Sequence, residues 1–273
     1  MAFPSRFWAD LATTDFAGLD AAATVAVLPV AATEQHGPHL PLRVDQALAD
    51  GVVAASLAHL PAGLPALFLP TQAVGYSPEH TAFAGTLTLS FETVVRTWVE
   101  LGECVARAGV RKLVLFNSHG GQVGLMDVVA RELRQRCGLL TYGSSWFGLP
   151  LPDAVSGLFS AQEHRFGIHG GEIETSMMLH LAPETVHMEH ARHWRSTSQD
   201  RAERHAILGN GKSAKMGWAM EDYHSAGAVG NAAAASADKG QAVVQAAGAA
   251  LAQLLAELHA LPLSTLAPRP GPP

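Results

Sequence analysis

Residues 25–50, VAVLPVAATEQHGPHLPLRVDQALAD, decide how the chain is organised. The apolar run Val25 to Val30 predicts a buried strand, and the amphipathic stretch from about Gln46 to Leu57 predicts a helix. Between them lies a polar segment carrying Glu34, His36, His39 and Asp45. A strand thus delivers a carboxylate and an imidazole two positions apart, and a second carboxylate waits at the start of the next helix. In an open α/β sheet, ligands bind beyond the carboxyl ends of the strands. Carboxylate with imidazole suits a hard-to-borderline divalent metal ion. Asp45 can bridge two ions if Glu34 and His36 each take one. A Glu-x-His in a loop is common by itself, so the metal reading gains its weight from the rest of the chain.

The same logic recurs further on. Lys112–Phe116, KLVLF, predicts a strand that leads into Asn117-Ser118-His119-Gly120-Gly121-Gln122 and then a helix with Val123, Met126, Ala130, Leu133 and Cys137 on one face. His119 therefore sits at a strand's carboxyl end. The two glycines let backbone approach a ligand closely, and N–H groups at the helix start can hold an anion or a developing oxyanion. A tight strand-to-helix turn would use the same residues. After His169-Gly170-Gly171 the apolar residues predict another helix, bearing Glu172 and Glu174. Two positions apart, these lie roughly 200° around a helix and cannot both face one site. Glu172 reads as solvent-facing. Glu174 shares a side with Met178 and can point inward, where a carboxylate needs a cation or hydrogen-bond donors. Converging, Glu34, His36, Asp45, His119 and Glu174 supply two nitrogens and three carboxylates. That set suits one or two divalent ions, Zn²⁺ first, with Mn²⁺ or Fe²⁺ as alternatives, and open positions for an activated water.

Bulk properties narrow the class. The 273 residues are 48% hydrophobic and 15% charged with a net charge of −6, which argues against a nucleic-acid protein. Cys104 and Cys137 fall on predicted helices without Cys-x-x-Cys spacing and read as reduced core thiols. The N-terminus lacks a charged segment followed by an apolar one, and no run of about 18 apolar residues is present, so a soluble cytoplasmic protein is expected.

Elsewhere, residues 6–19 predict a short helix or turn, Ala66–Leu69 a second strand, Phe91 to Ala108 a helix, Leu139–Tyr142 a further strand and Gln241 to Leu258 a helix. Residues 71–90 form an irregular segment whose reactive-looking members are Ser77, Glu79 and His80. Trp146 follows the last strand in a loop, where it can stack on a ligand or plug the loop. Residues 195–235 read as loop-rich, with Ser225–Gly230 flexible. No internal domain boundary is evident: residues 1–262 read as one domain, and 263–273, ending in APRPGPP, as a flexible Pro-rich tail.

The chain resembles the creatininase (creatinine amidohydrolase) family. The matching stretches are LPVAATEQHGPHLPLRVD at 28–45, GYSPEHTAFAGTLTL at 75–89, NSHGGQ at 117–122 and HGGEIETSMML at 169–179, with weaker similarity through 216–231 and 235–240. The resemblance implies a three-layer α/β/α fold with a mainly parallel sheet, a two-metal hydrolase centre and a ring-like homo-oligomer, commonly a hexamer. It makes Glu34, His36, Asp45 and His119 metal ligands, Asp45 the bridge, and His169 the residue that shuttles a proton to the leaving nitrogen. Creatinine-hydrolysing members carry H-Y-E-N where this chain has His119-Gly120-Gly121-Gln122. A metal-binding carboxylate therefore falls on Gly121, and Glu174 is the candidate to complete the second site. The expected activity is hydrolysis of a non-peptide C–N bond in an amide, cyclic amide or formamide. Ser77, His80, Gly120, Gly121 and Trp146 are expected to line the small-molecule pocket. The alternatives are a mycofactocin-precursor-type peptidase and a hydrolase of a sugar or inositol derivative.

Overall fold

The computed structural model describes residues 3–268. Its centre is a four-stranded parallel sheet in the order β2-β1-β3-β4, formed by β1 (Val25–Val30), β2 (Ala66–Phe68), β3 (Lys112–Asn117) and β4 (Leu140–Ser145). Between the strands run α1 (Val44–Ser56), α2 (Phe91–Arg107) and α3 (Val123–Cys137). After β4 come α4 (Asp153–Ser156), α5 (Ala161–Phe166) and α6 (Glu172–Leu181). A small antiparallel pair, β5 (His193–Trp194) with β6 (Gly230–Asn231), encloses α7 (Thr197–Arg204) and α8 (Met220–Tyr223). The long α9 (Ala237–Ala260) closes the domain.

The alternation of side chains along a strand builds the three layers. Val25 and Val27 of β1, with Val114 and Phe116 of β3, face a cluster shared with α1, α6 and α9. Ala26, Leu28 and Val30, with Leu113 and Leu115, face the opposite cluster shared with α2 and α3. Both faces are covered, which is why β1 and the Leu113–Phe116 stretch of β3 read as apolar runs and every residue of both strands is buried. Helix α9 is long and apolar enough to cross a membrane by length and composition. Its apolar stripe, including Val244, Ala247, Leu251 and Leu255, instead packs in the cluster that α1 and α6 share.

Three expectations change. Residues 195–235 are loop-rich as expected, and within them α7 is a helix whose only buried residue is Gln199, so it carries no apolar period to read. Its supports are local, an N-cap from Ser196 to the Ser198 N–H and the ion pairs of Arg195 with Asp200 and Glu203. Ser225–Gly230 is not free: Ala228 and Val229 are fully buried. Cys104 is exposed rather than a core thiol, and Cys137 is intermediate. In the segment expected to be a tail, Leu263–Thr265 makes a 3-10 turn, and Leu263 and Leu266 pack on the core. Residues 269–273 of that tail lie outside the described residues.

Candidate metal centre

The chain leaves β1, visits β2 on one side and then crosses to β3 on the other, so the strand order reverses between β1 and β3. That crevice, beyond the carboxyl ends of the strands, is where an open α/β sheet places its site. Val30 and Asn117 are in register, so the segments after β1 and β3 emerge side by side and bring Glu34, His36 and His119 together. Helix α1 begins at Val44, two residues earlier than expected, which puts Asp45 in its first turn. From across the crevice, the turn before α6 contributes His169 and the helix itself Glu174.

The five expected ligands converge. His119 Nδ1 lies 3.1 Å from Glu34 Oε1 and 3.8 Å from Asp45 Oδ2. His36 Nε2 lies 3.9 Å from both Glu34 Oε1 and Asp45 Oδ1. Three groups of ligand atoms lie close enough to hold an ion among the described residues: Glu34, Asp45 and His119; His36, Asp45 and Glu174; and Glu34, His36 and His169.

The hydrogen bonds assign the imidazole tautomers. His36 Nδ1 faces the Glu34 carbonyl at 3.0 Å, His119 Nε2 the Tyr76 carbonyl at 3.0 Å, and His169 Nε2 the Gln35 carbonyl at 2.6 Å. A carbonyl accepts only, so each of these nitrogens donates. The other nitrogen of each ring, His36 Nε2, His119 Nδ1 and His169 Nδ1, then turns its lone pair toward the carboxylates. His80 is the reverse case. The Gln35 amide accepts from the Gly37 N–H through Oε1 and donates to His80 Nδ1 at 2.7 Å. His80 Nε2 therefore carries the proton, 3.3 Å from Glu34 Oε1.

Lone pairs opposed to buried carboxylates repel unless a cation lies between them. Glu34 Oε1 and Oε2, His36 Nε2 and Asp45 Oδ2 are all buried without a hydrogen-bond partner. The residues present thus fit a divalent ion. Without metal, a proton takes part of that role. Burial disfavours charge on His119, but Glu34 beside it holds the imidazole well above its ordinary pKa. Burial likewise pushes Glu34 up, and His119, His80 and His169 outweigh it and hold the carboxyl below its usual range. Burial, then Glu34, raise Asp45, and burial brings Glu174 to about 7.

A cavity of about 850 Å³ opens onto this cluster. Glu34, Asp45, His80, His119, Gly120, Gly121, Trp146, His169 and Glu174 line it. Trp146 is buried, and its indole N–H has no acceptor. Two expected residues differ. Ser77 is fully buried behind the site, 3.4 Å from His119 Nε2, rather than at the cavity wall. Glu172 is buried rather than solvent-facing, paired with Lys239 Nζ. The separation of Glu172 from Glu174 follows the helical geometry.

Supports not read from sequence complete the site. Val229 donates its N–H to the His169 carbonyl at 2.9 Å, so the buried segment 227–230 braces the turn. Gly170 follows with φ +59°, and a Cβ there would press on the His36 carbonyl at 3.0 Å. Glu79, reactive-looking in sequence but given no role, reaches the wall beside His119. A side chain at Gly121 would collide with its carboxylate.

Gln122 is a staple rather than a site residue. It is fully buried; its amide donates to the carbonyl of Ala31 and to Asn117 Oδ1, and accepts from the Tyr76 N–H. Gln122→Ala should cost about 1–3 kcal/mol through the buried groups it orphans. A lower urea midpoint at unchanged m would show this, and an unchanged midpoint would contradict it.

The comparisons with known proteins identify the family. The creatininase family model, described as creatinine amidohydrolase, matches residues 9–255. The chain belongs to the creatininase family. The mycofactocin precursor peptide peptidase of Mycobacterium tuberculosis is 35% identical over 176 residues, 62% of this chain and 62% of that relative's length. The creatinine amidohydrolase of Pseudomonas putida is 32% identical over 179 residues, 60% of this chain and 67% of the relative. The match thus spans under two thirds of the mycobacterial relative. Among solved structures, a Zn-Zn form of a creatininase variant superposes with TM-score 0.75 at 25% identity, covering 94% of this chain and 99% of that one. A manganese creatininase gives 0.72 at 25% identity, covering 94% and 100%. The creatininase likeness agrees with the three-layer α/β/α architecture.

Proposed function

We propose that this creatininase-family protein is a metal-dependent hydrolase of an amide C–N bond. The observation that carries the reading is the set of buried, partnerless donor atoms on Glu34, His36 and Asp45, of which Glu34 and Asp45 line the open cavity and His36 lies behind them. One divalent ion would be held by Glu34, Asp45 and His119, a second by His36, Asp45 and Glu174, with Asp45 shared. Zinc or manganese is the expected metal, in keeping with the zinc and manganese forms of the structural relatives. Such an ion supplies Lewis-acid polarisation of a carbonyl and activation of water.

The chain's own groups supply the rest. His169 is held neutral, burial lowering its pKa, with Nδ1 facing Glu34 Oε1 at 3.8 Å. It would take at Nδ1 the proton that the attacking water loses and pass it to the leaving nitrogen. Trp146 lines the cavity with its ring, and backbone N–H groups of Gly120 and Gly121 at the wall are donors for the developing oxyanion.

Small cyclic amides and formamides are the first substrate reading. Cavity size favours a second, a peptide. At about 850 Å³ the space approaches the upper end of ordinary ligand pockets. Phe147, Ile168 and Met216 line it while remaining 49%, 48% and 44% exposed, which suits apolar side chains of a longer substrate. The identity to the mycobacterial peptidase supports the same choice. A cytoplasmic homo-oligomer, hexamer first, acting without nucleic acid or membrane, completes the proposal.

The test is amine release from cyclic amides, formamides and short peptides by zinc- or manganese-loaded protein. Hydrolysis of one class, abolished by a chelator and restored by metal, is expected. Hydrolysis indifferent to the chelator would overturn the reading. Metal binding should also depend on pH. Glu174, raised to about 7 chiefly by burial, is protonated below that value and must lose the proton to bind an ion. Zinc affinity should therefore rise between about pH 6 and about pH 8, with proton release in calorimetry, and less steeply in Glu174→Gln. A flat wild-type profile would contradict this.

A further inference from the structure

Two acidic side chains at the cavity wall, Glu79 and Glu163, stand outside the three metal-capable groups. Glu163 is accounted for: its carboxylate accepts from the N–H groups of Glu172 and Asn231. Glu79 is not. It is 9% exposed, its Oε1 has no hydrogen-bond partner, and that oxygen lies 3.3 Å from His119 Nε2. The same nitrogen faces the Tyr76 carbonyl at 3.0 Å and Ser77 Oγ at 3.4 Å, while Nδ1 on the far side of the ring faces Glu34 and Asp45. A Cβ at residue 121 would overlap Glu79 Oε1 and come within 2.5 Å of His119 Nε2. Only glycine at 121 leaves room for a carboxylate against that edge of the ring.

We propose that Glu79 is a positioning residue of the metal centre: seated in the space Gly121 leaves open, its carboxylate shares the Nε2–H of His119 and holds Nδ1 toward Glu34 and Asp45. This rests on the metal reading above. A buried carboxylate without a full hydrogen bond is costly by itself. The cost is offset when His119 carries positive charge, whether from a proton or from an ion on Nδ1. A carboxylate behind a ligating imidazole fixes the tautomer and raises the basicity of the ligating nitrogen, an effect of about 10–100-fold in metal affinity. The Tyr76 carbonyl can orient the ring but brings no charge, so the two partners are not redundant.

The experiment titrates zinc against a competing chelator in wild type, Glu79→Gln and Glu79→Asp, with cobalt absorption spectra of the same proteins. Wild type should bind two ions. In Glu79→Gln one ion should weaken about 10–100-fold and its cobalt bands shift, while Glu79→Asp, which keeps the charge, should recover most of the affinity. Two ions held equally tightly by wild type and Glu79→Gln would overturn the proposal and leave the metal reading standing. A wild type that binds no ion would overturn both. If Glu79→Gln does not fold, ring-nitrogen NMR of the zinc-loaded wild type decides. A downfield Nε2–H proton of His119 that moves in Gly121→Ala is expected, and an ordinary ring proton unmoved by that substitution would overturn the proposal.

Discussion

Asp45→Asn should remove tight metal binding at both positions and reduce hydrolysis by roughly three powers of ten or more, since several kcal/mol of Lewis-acid stabilisation at 1.36 kcal/mol per decade is at stake. Asp45 is the one residue common to the group with Glu34 and His119 and the group with His36 and Glu174. Asparagine keeps its size and one acceptor oxygen but not its charge. A second expected result separates loss of function from loss of structure. Burial and the neighbouring Glu34 raise the Asp45 pKa well above its ordinary value. A carboxyl whose folded pKa is raised destabilises the folded chain above its unfolded pKa, because the charge must be accommodated in the interior. Metal-free Asp45→Asn should therefore unfold at neutral pH no earlier than metal-free wild type. Metal content by elemental analysis and thermal melts with and without zinc check both halves. A variant that keeps two ions, or one that unfolds early without metal, would contradict the assignment.

His169→Ala should cost about 10²–10⁴ in turnover, the usual range for a positioned acid–base group, with the metal content unchanged. The ring is fixed on all sides. Its Nε2 donates to the Gln35 carbonyl, and its faces stack on His36 and His80 with centroids 4.1 and 4.2 Å away. Only Nδ1 is left to exchange a proton with substrate. A competing role exists, because Glu34, His36 and His169 form the third group able to hold an ion. Metal counting discriminates: loss of one ion per subunit in His169→Ala would make His169 a ligand and sink its role as proton carrier.

Much of this centre is legible in the sequence because its parts sit at places that strand and helix patterns locate. The apolar runs at 25–30 and 113–116 mark two parallel strands, and the polar residues beyond their ends fall at the crevice past their carboxyl ends. The helical spacing of Glu172 and Glu174 separates the residue that pairs with Lys239 from the one that reaches the cavity. Position along an element does not reveal which partner a polar group meets across the fold. Glu172 reads as solvent-facing because its Lys239 partner is 67 residues away. Ser77 reads as a pocket residue because a loop serine looks the same whether it faces the cavity or the back of His119. The segment 225–230 reads as flexible from its small residues, yet those residues let it pack under His169. Glu79 stands beside His80 in the sequence, but its relation to Gly121 exists only once two loops, 42 positions apart, are folded against each other. The imidazole tautomers are set by three backbone carbonyls, which no residue type encodes.

The proposed centre has two ions that share Asp45 at the carboxyl ends of β1 and β3. Its most direct test is anomalous diffraction from crystals grown with zinc. Two peaks are expected, one among Glu34, Asp45 and His119 and one among His36, Asp45 and Glu174. An anomalous map with no peak in contact with Asp45, from protein shown to carry zinc, would contradict the account.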